Sequence, residues 1–187
     1  MTSTGRGIGD GFTELARRYE KWRQIAAYAG YIVPDEPARE GDRLNFRYGY
    51  PNEGWTGRTI APRGTGFDVY SATTERRVDP AVRLEAHFSR FEDAGKFILW
   101  NNAEGIRMHC GLPPVTRAWR TAGLNPGVEK RDLTDGLARY ALKNNPAIYL
   151  DAYAGGIKPE NHLLVLSYDD LDAVLLAGMP ESVTRHI

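Results

Sequence analysis

Apolar side chains in this chain recur first with the period of a helix and then with that of a strand. Phe12, Leu15, Ala16, Tyr19, Trp22, Ile25, Ala26 and Ala29 fall at helical spacing, while Arg17, Arg18, Glu20, Lys21, Arg23 and Gln24 take the other face. The spacing predicts an amphipathic helix that stops near Gly30. The period then drops to two. Leu44, Phe46, Tyr48 and Tyr50 alternate with Arg43, Asn45, Arg47 and Gly49, a half-buried strand ending at the turn Pro51-Asn52-Glu53-Gly54. A second strand from about Trp55 to Ala61 returns from that turn, Pro62 to Gly66 leads into a third over Phe67 to Ser71, and Leu84, Ala86 and Phe88 alternate again.

Ser89 and Glu92 stand at capping-box spacing before a helix whose apolar face is Phe91, Ala94, Phe97, Ile98 and Leu99. A break is expected at Asn101-Asn102, then a second helical piece to Cys110, ended by Gly111 and Pro113-Pro114. No clear period marks Val115 to Asn145. Ala147 to Leu150 and His162 to Leu166 read as strands joined by a glycine-rich loop. Ser167 should cap a last helix from Tyr168 to about Ala177, with Asp169 and Asp170 matching its dipole. Strands that cluster instead of alternating with helices predict an α+β fold, a mainly antiparallel sheet packed by two or three helices. Residues 1–11, with four glycines, read as a flexible leader before a single domain over 12–187.

Composition narrows the function by exclusion. A chain of 187 residues can bury roughly 70% of its unfolded surface in one core. The 24 basic and 24 acidic side chains leave no net field to gather nucleic acid or anionic lipid, so neither is an expected partner. Cys110 is the single cysteine, which suits a reducing compartment; without a signal segment or apolar span, the cytoplasm is expected.

Candidate chemistry is sparse. Gly5-Arg6-Gly7-Ile8-Gly9-Asp10-Gly11 has the composition of a phosphate loop but no strand before it. His87, His109, His162 and His186 show no ligand spacing with one another or with Cys110, so no metal or cofactor is expected. Asp169, Asp170 and Asp172 read as a solvated helix start. Ser71 to Glu75 is loosely similar to the Ser-Thr strand motif of NAD-using ADP-ribosyltransferases, without a convincing glutamate-x-glutamate partner. Tyr48 and Tyr50 are expected in the core. Trp55, Arg58, Arg63, Arg117, Trp119 and Arg120 lie in turns or unpatterned stretches and are aromatic or arginine, the residue types that dominate interface hot spots.

Two segments carry a resemblance: SRFEDAGKFILWNNAEGIRMHCGLPP from Ser89 to Pro114, and LLVLSYDDLDAVLLAG from Leu163 to Gly178. They resemble the immunity factor of the tuberculosis necrotizing toxin, a mycobacterial NAD glycohydrolase, and related bacterial immunity proteins. The matching residues are Phe91, Phe97, Ile98, Leu99, Arg107, Gly111-Leu112-Pro113 and Leu166 to Leu171. Residues 115–145 match poorly. The resemblance implies a cytoplasmic antitoxin that is not an enzyme, binding its cognate toxin one-to-one and closing the NAD cleft. On that reading Trp55, Arg58, Arg63, Arg117, Trp119 and Arg120 are the expected contacts. The alternative from the residues is a small nucleotide- or NAD-using enzyme with a dispersed active site.

Overall fold

The computed structural model describes residues 4–75, 79–134 and 136–186, with the backbone alone over 4–10. Its strands are β1 (Ala38–Glu40), β2 (Arg43–Tyr48), β3 (Thr56–Arg63), β4 (Gly66–Thr73), β5 (Ala81–Phe88), β6 (Val128–Asp132), β7 (Leu137–Leu142) and β8 (Asn145–Tyr153). They form one eight-stranded sheet in the order β1-β2-β3-β4-β5-β8-β7-β6, every neighbouring pair antiparallel. The helices are α1 (Thr4–Tyr28), α2 (Phe91–His109), α3 (Val115–Ala122), α4 (Tyr168–Leu176) and the short α5 (Glu181–Thr184), with a 3-10 helix over Pro159–Val165. The expected α+β class with an antiparallel sheet holds.

Helix α2 organises the core. It crosses β3, β4 and β5 and receives α1, α4 and the 3-10 helix on its flanks, while the 3-10 helix also covers β6, β7 and β8. Trp22, Ile25, Phe46, Phe88, Phe97, Ile98 and Leu171 are buried as expected, and Phe91 is partly so. Each large side chain removed from water in this way contributes about 1.5–3 kcal/mol.

Polar side chains inside this layer fix how the helices meet. Asp172 of α4 accepts from Trp22 Nε1 at 3.0 Å, Lys21 Nζ at 3.2 Å and Arg18 at 3.3 Å, pinning α4 to α1. Asp172 is therefore buried, not part of a solvated helix start. Asp169 pairs with Arg18, and Ser167 with Asp170 forms the capping box of α4. Arg107 donates to the carbonyls of Leu175 and Ala177 at 2.6 and 2.9 Å, closing the C-terminus of α4.

Several expectations are corrected. Helix α1 begins at Thr4, within the stretch expected as a leader, and runs without a break into the buried face from Leu15 to Ile25. Residues 1–3 lie outside the described residues. Ser89 does not cap α2; Arg90 is the N-cap residue, and Ser89 Oγ accepts from Tyr149 N at 2.8 Å, closing the short β5–β8 seam. Nor does α2 break at Asn101-Asn102, because Asn101 Nδ2 donates back to the Phe97 carbonyl at 2.9 Å and stays within the helix. The strand expected over His162 to Leu166 is instead the 3-10 helix, started by Pro159.

Candidate functional site

The helices gather on one face of the sheet, and the opposite face of β1–β5 is an open hollow of about 610 Å³. Strand alternation builds it: Leu44 and Phe46 of β2 enter the core, so Arg43, Asn45 and Arg47 point the other way. The register Asn45↔Thr59↔Tyr70 carries the same face across β3 and β4, and Asn45 Oδ1 accepts from the Thr59 hydroxyl at 2.7 Å. Tyr50 and Trp55 rise at the rim, on either side of the Pro51 to Gly54 turn.

Arg47 is a paired cation of this hollow. It forms a two-armed ion pair with Glu40 at 2.7 and 3.0 Å, which lowers the Glu40 pKa. Its guanidinium lies 4.1 Å from the Tyr50 ring centroid and 5.7 Å from that of Trp55, and the two rings meet edge to face at 5.5 Å. A stacked, partly covered cation of this kind is worth at least about 0.5–1 kcal/mol and holds its aromatic neighbours in place. Tyr50 is thus a half-exposed rim residue, not a core one.

Further along the same face the sheet carries a polar network. Buried Asp68 of β4 accepts from Tyr70 Oη at 2.9 Å, meets His87 Nδ1 at 2.7 Å and pairs with Arg63 at 3.3 Å. The bond to Asp68 raises the Tyr70 pKa. Next to it Arg139 of β7 grips Asp151 of β8 at 2.7 and 2.8 Å and lies 3.7 Å from the Tyr149 ring centroid. His87 and Asp68 have the geometry of a base and its orienting carboxylate, yet no serine, threonine or cysteine is recorded within hydrogen-bond reach of His87 among the described residues.

The six nominated residues do not form one site. Trp55 borders the hollow and Arg63 lies at its polar end; Arg58, on the same strand, points to the helical side. Arg117, Trp119 and Arg120 lie on α3, a helix absent from the sequence reading. Arg117 and Arg120 are exposed there. Trp119 is buried, stacked on His162 with centroids 5.4 Å apart and beside Trp100 at 5.5 Å, so it is no exposed anchor. Arg43, Arg47 and Tyr70 went unnominated, although the alternation of β2 already places both arginines opposite the apolar face.

Other candidates resolve into structure. Burial raises the Cys110 pKa, the opposite of nucleophile activation. Ser71 Oγ donates to Glu85 across β4 and β5 at 2.7 Å. No group of three or more metal-ligating side chains occurs among the described residues, and no described helix is long and apolar enough to cross a membrane.

No family model and no curated protein matches the chain. Among solved structures, Rv3902c from M. tuberculosis is similar in fold, with a TM-score of 0.58 at 11% identity over 88% of this chain and 87% of that one.

Proposed function

We propose that this protein is an immunity protein that binds a cognate NAD glycohydrolase toxin one-to-one and occludes its NAD cleft, with the uncovered face of β1–β5 as the contact surface. The observation that carries the proposal is the Arg47–Tyr50–Trp55 cluster, held in place by Glu40 beside an open hollow. Arginine and aromatic side chains ordered before binding lose little entropy on association and are the side chains that anchor interfaces. The resemblance of Ser89 to Pro114 and Leu163 to Gly178 names the partner class, and the fold likeness to a mycobacterial protein is consistent with it.

Protection of the producing cell requires tight binding. A nanomolar dissociation constant corresponds to about 12 kcal/mol, within reach of an interface of about 800 Å² per partner. Such an inhibitor acts in the cytoplasm, needs no cofactor and turns over no substrate. Mixing the protein with the toxin domain while following NAD loss tests this. Stoichiometric protection is expected, and Arg47→Ala should weaken it by about 2 kcal/mol or more, roughly thirtyfold in affinity. Failure of a tenfold excess to protect, or NAD hydrolysis by the protein itself, would overturn the assignment.

A further inference from the structure

On the helical side of the sheet, a second cleft of about 460 Å³ opens between the β2–β3 turn, the Tyr31-Ile32 segment and α2. Arg58 of β3 lies in its wall. No hydrogen bond or ion pair to the Arg58 guanidinium occurs among the described residues, and its buried Nε has no partner. Burial pushes its pKa down, and the first acid to act on it, Glu85, does so through space while its own carboxylate accepts from Ser71. Beyond Arg58 is a void of about 10 Å³ bordered by Tyr19, Tyr48 and Asn102, where Tyr19 Oη and Asn102 Nδ2 also lack partners. One water there could hydrogen-bond Nε. A neutral water leaves the charge of this half-buried side chain without a counterion, and charges drawn out of water are ordinarily paired.

We infer that this cleft is a carboxylate-binding site in which Arg58 takes the carboxylate, with Asn102 as a neighbouring amide donor and Tyr31 and Ile32 as an apolar rim for the group that bears it. One cation matches a monoanion better than a phosphate dianion, which would bring a second buried charge without a counterion. The planar fork of a guanidinium matches a carboxylate in two-point geometry. The site is separate from the hollow across the sheet and belongs to the chain whatever its partner.

The test is an NMR titration that follows the Arg58 Nε–Hε signal of the full chain. Sodium benzoate and acetyl-glutamate amide present the carboxylate on a small acid and on a polypeptide side chain; benzamide and inorganic phosphate are the controls. A saturable shift with either carboxylate, with benzamide silent and phosphate at least tenfold weaker, supports the site. Tighter binding of benzoate assigns it to free acids; tighter binding of the capped glutamate assigns it to a protein-borne side chain. Arg58→Met, followed through the backbone amide signals of the cleft residues Tyr31, Ile32 and Asn102, should show no saturable shift with either carboxylate and should raise the melting temperature of the unliganded protein, because a half-buried charge without a counterion is removed. No shift with either carboxylate, an equal response to benzamide or a preference for phosphate would overturn the inference.

Discussion

Lys96 of α2 is fully buried, and its replacement by methionine should be among the most damaging single changes in the protein. Its ammonium donates to the carbonyls of Leu163 and Leu166 at 2.7 and 2.6 Å and pairs with Asp93 at 2.7 Å, tying α2 to the 3-10 helix and the approach to α4. Methionine keeps an unbranched apolar stem and ends one heavy atom short of lysine, so little of the change is volume. Asp93 would keep the two-armed contact from Arg90 at 2.7 and 2.9 Å. The two carbonyls would lose a charged donor, each such bond being worth about 1.5–3 kcal/mol. With the partial unpairing of Asp93, Lys96→Met should cost about 3–5 kcal/mol, measurable as a lower urea midpoint at unchanged m-value. Asp93→Asn in the same background should be less than additive by at least about 1 kcal/mol, since the two side chains touch. A loss below about 1 kcal/mol, or strict additivity, would refute the reasoning.

Glu104 accepts from Val115 N, Thr116 N, Thr116 Oγ1 and Trp100 Nε1 at 2.7–3.0 Å, so Glu104→Gln should turn an amide donor toward other donors and cost about 1–3 kcal/mol with fraying of α3, read by thermal melting and far-UV circular dichroism; an unchanged melt would refute it. Gly95→Ala separates propensity from packing: a helix favours alanine by about 1 kcal/mol, but a Cβ here would strike the Tyr168 hydroxyl and come within 3.2 Å of Leu15, so a net loss of about 1–3 kcal/mol is expected in urea unfolding. Burial raises the Glu160 pKa above its unfolded value, so the folded state binds the proton more tightly and stability falls as pH rises through that window. Glu160→Gln should therefore raise the melting temperature at pH 7 and leave it unchanged near pH 3, where both states are protonated; equal gains at both pH values would contradict the assignment.

The elements that local periodicity specifies were legible in the sequence. The face from Phe12 to Ala29, the alternation of β2 as far as Tyr48 and the Ser167 cap each depend on residues close in the chain, and these stand as read, whereas Tyr50 leaves the apolar face for the rim. What escaped depends on contacts far apart in sequence. Ser89 could cap a helix, yet it bonds the backbone of Tyr149 because β8 arrives beside β5. Helix α3 is only eight residues long, and its N-terminus is held by Glu104 from another helix, so its own composition gives little sign of it. The run Leu163 to Leu166 is apolar enough for a strand, but Lys96 captures its carbonyls in a tighter turn. Trp119 looked exposed until His162 stacked on it, and Arg47 acquired its partners only when β1 brought Glu40 alongside and the turn folded Tyr50 back. The site was legible as a residue type, arginine with aromatic neighbours, but not as a place.

Amide hydrogen exchange of the protein, alone and with the toxin domain, tests most directly whether the uncovered sheet face is the contact surface. Slowed exchange is expected in the 43–50 and 55–63 segments and in 68–72, with 115–122 on α3 unchanged. Slowing confined to α3 and the adjoining 3-10 helix, with the sheet strands unaltered, would contradict it.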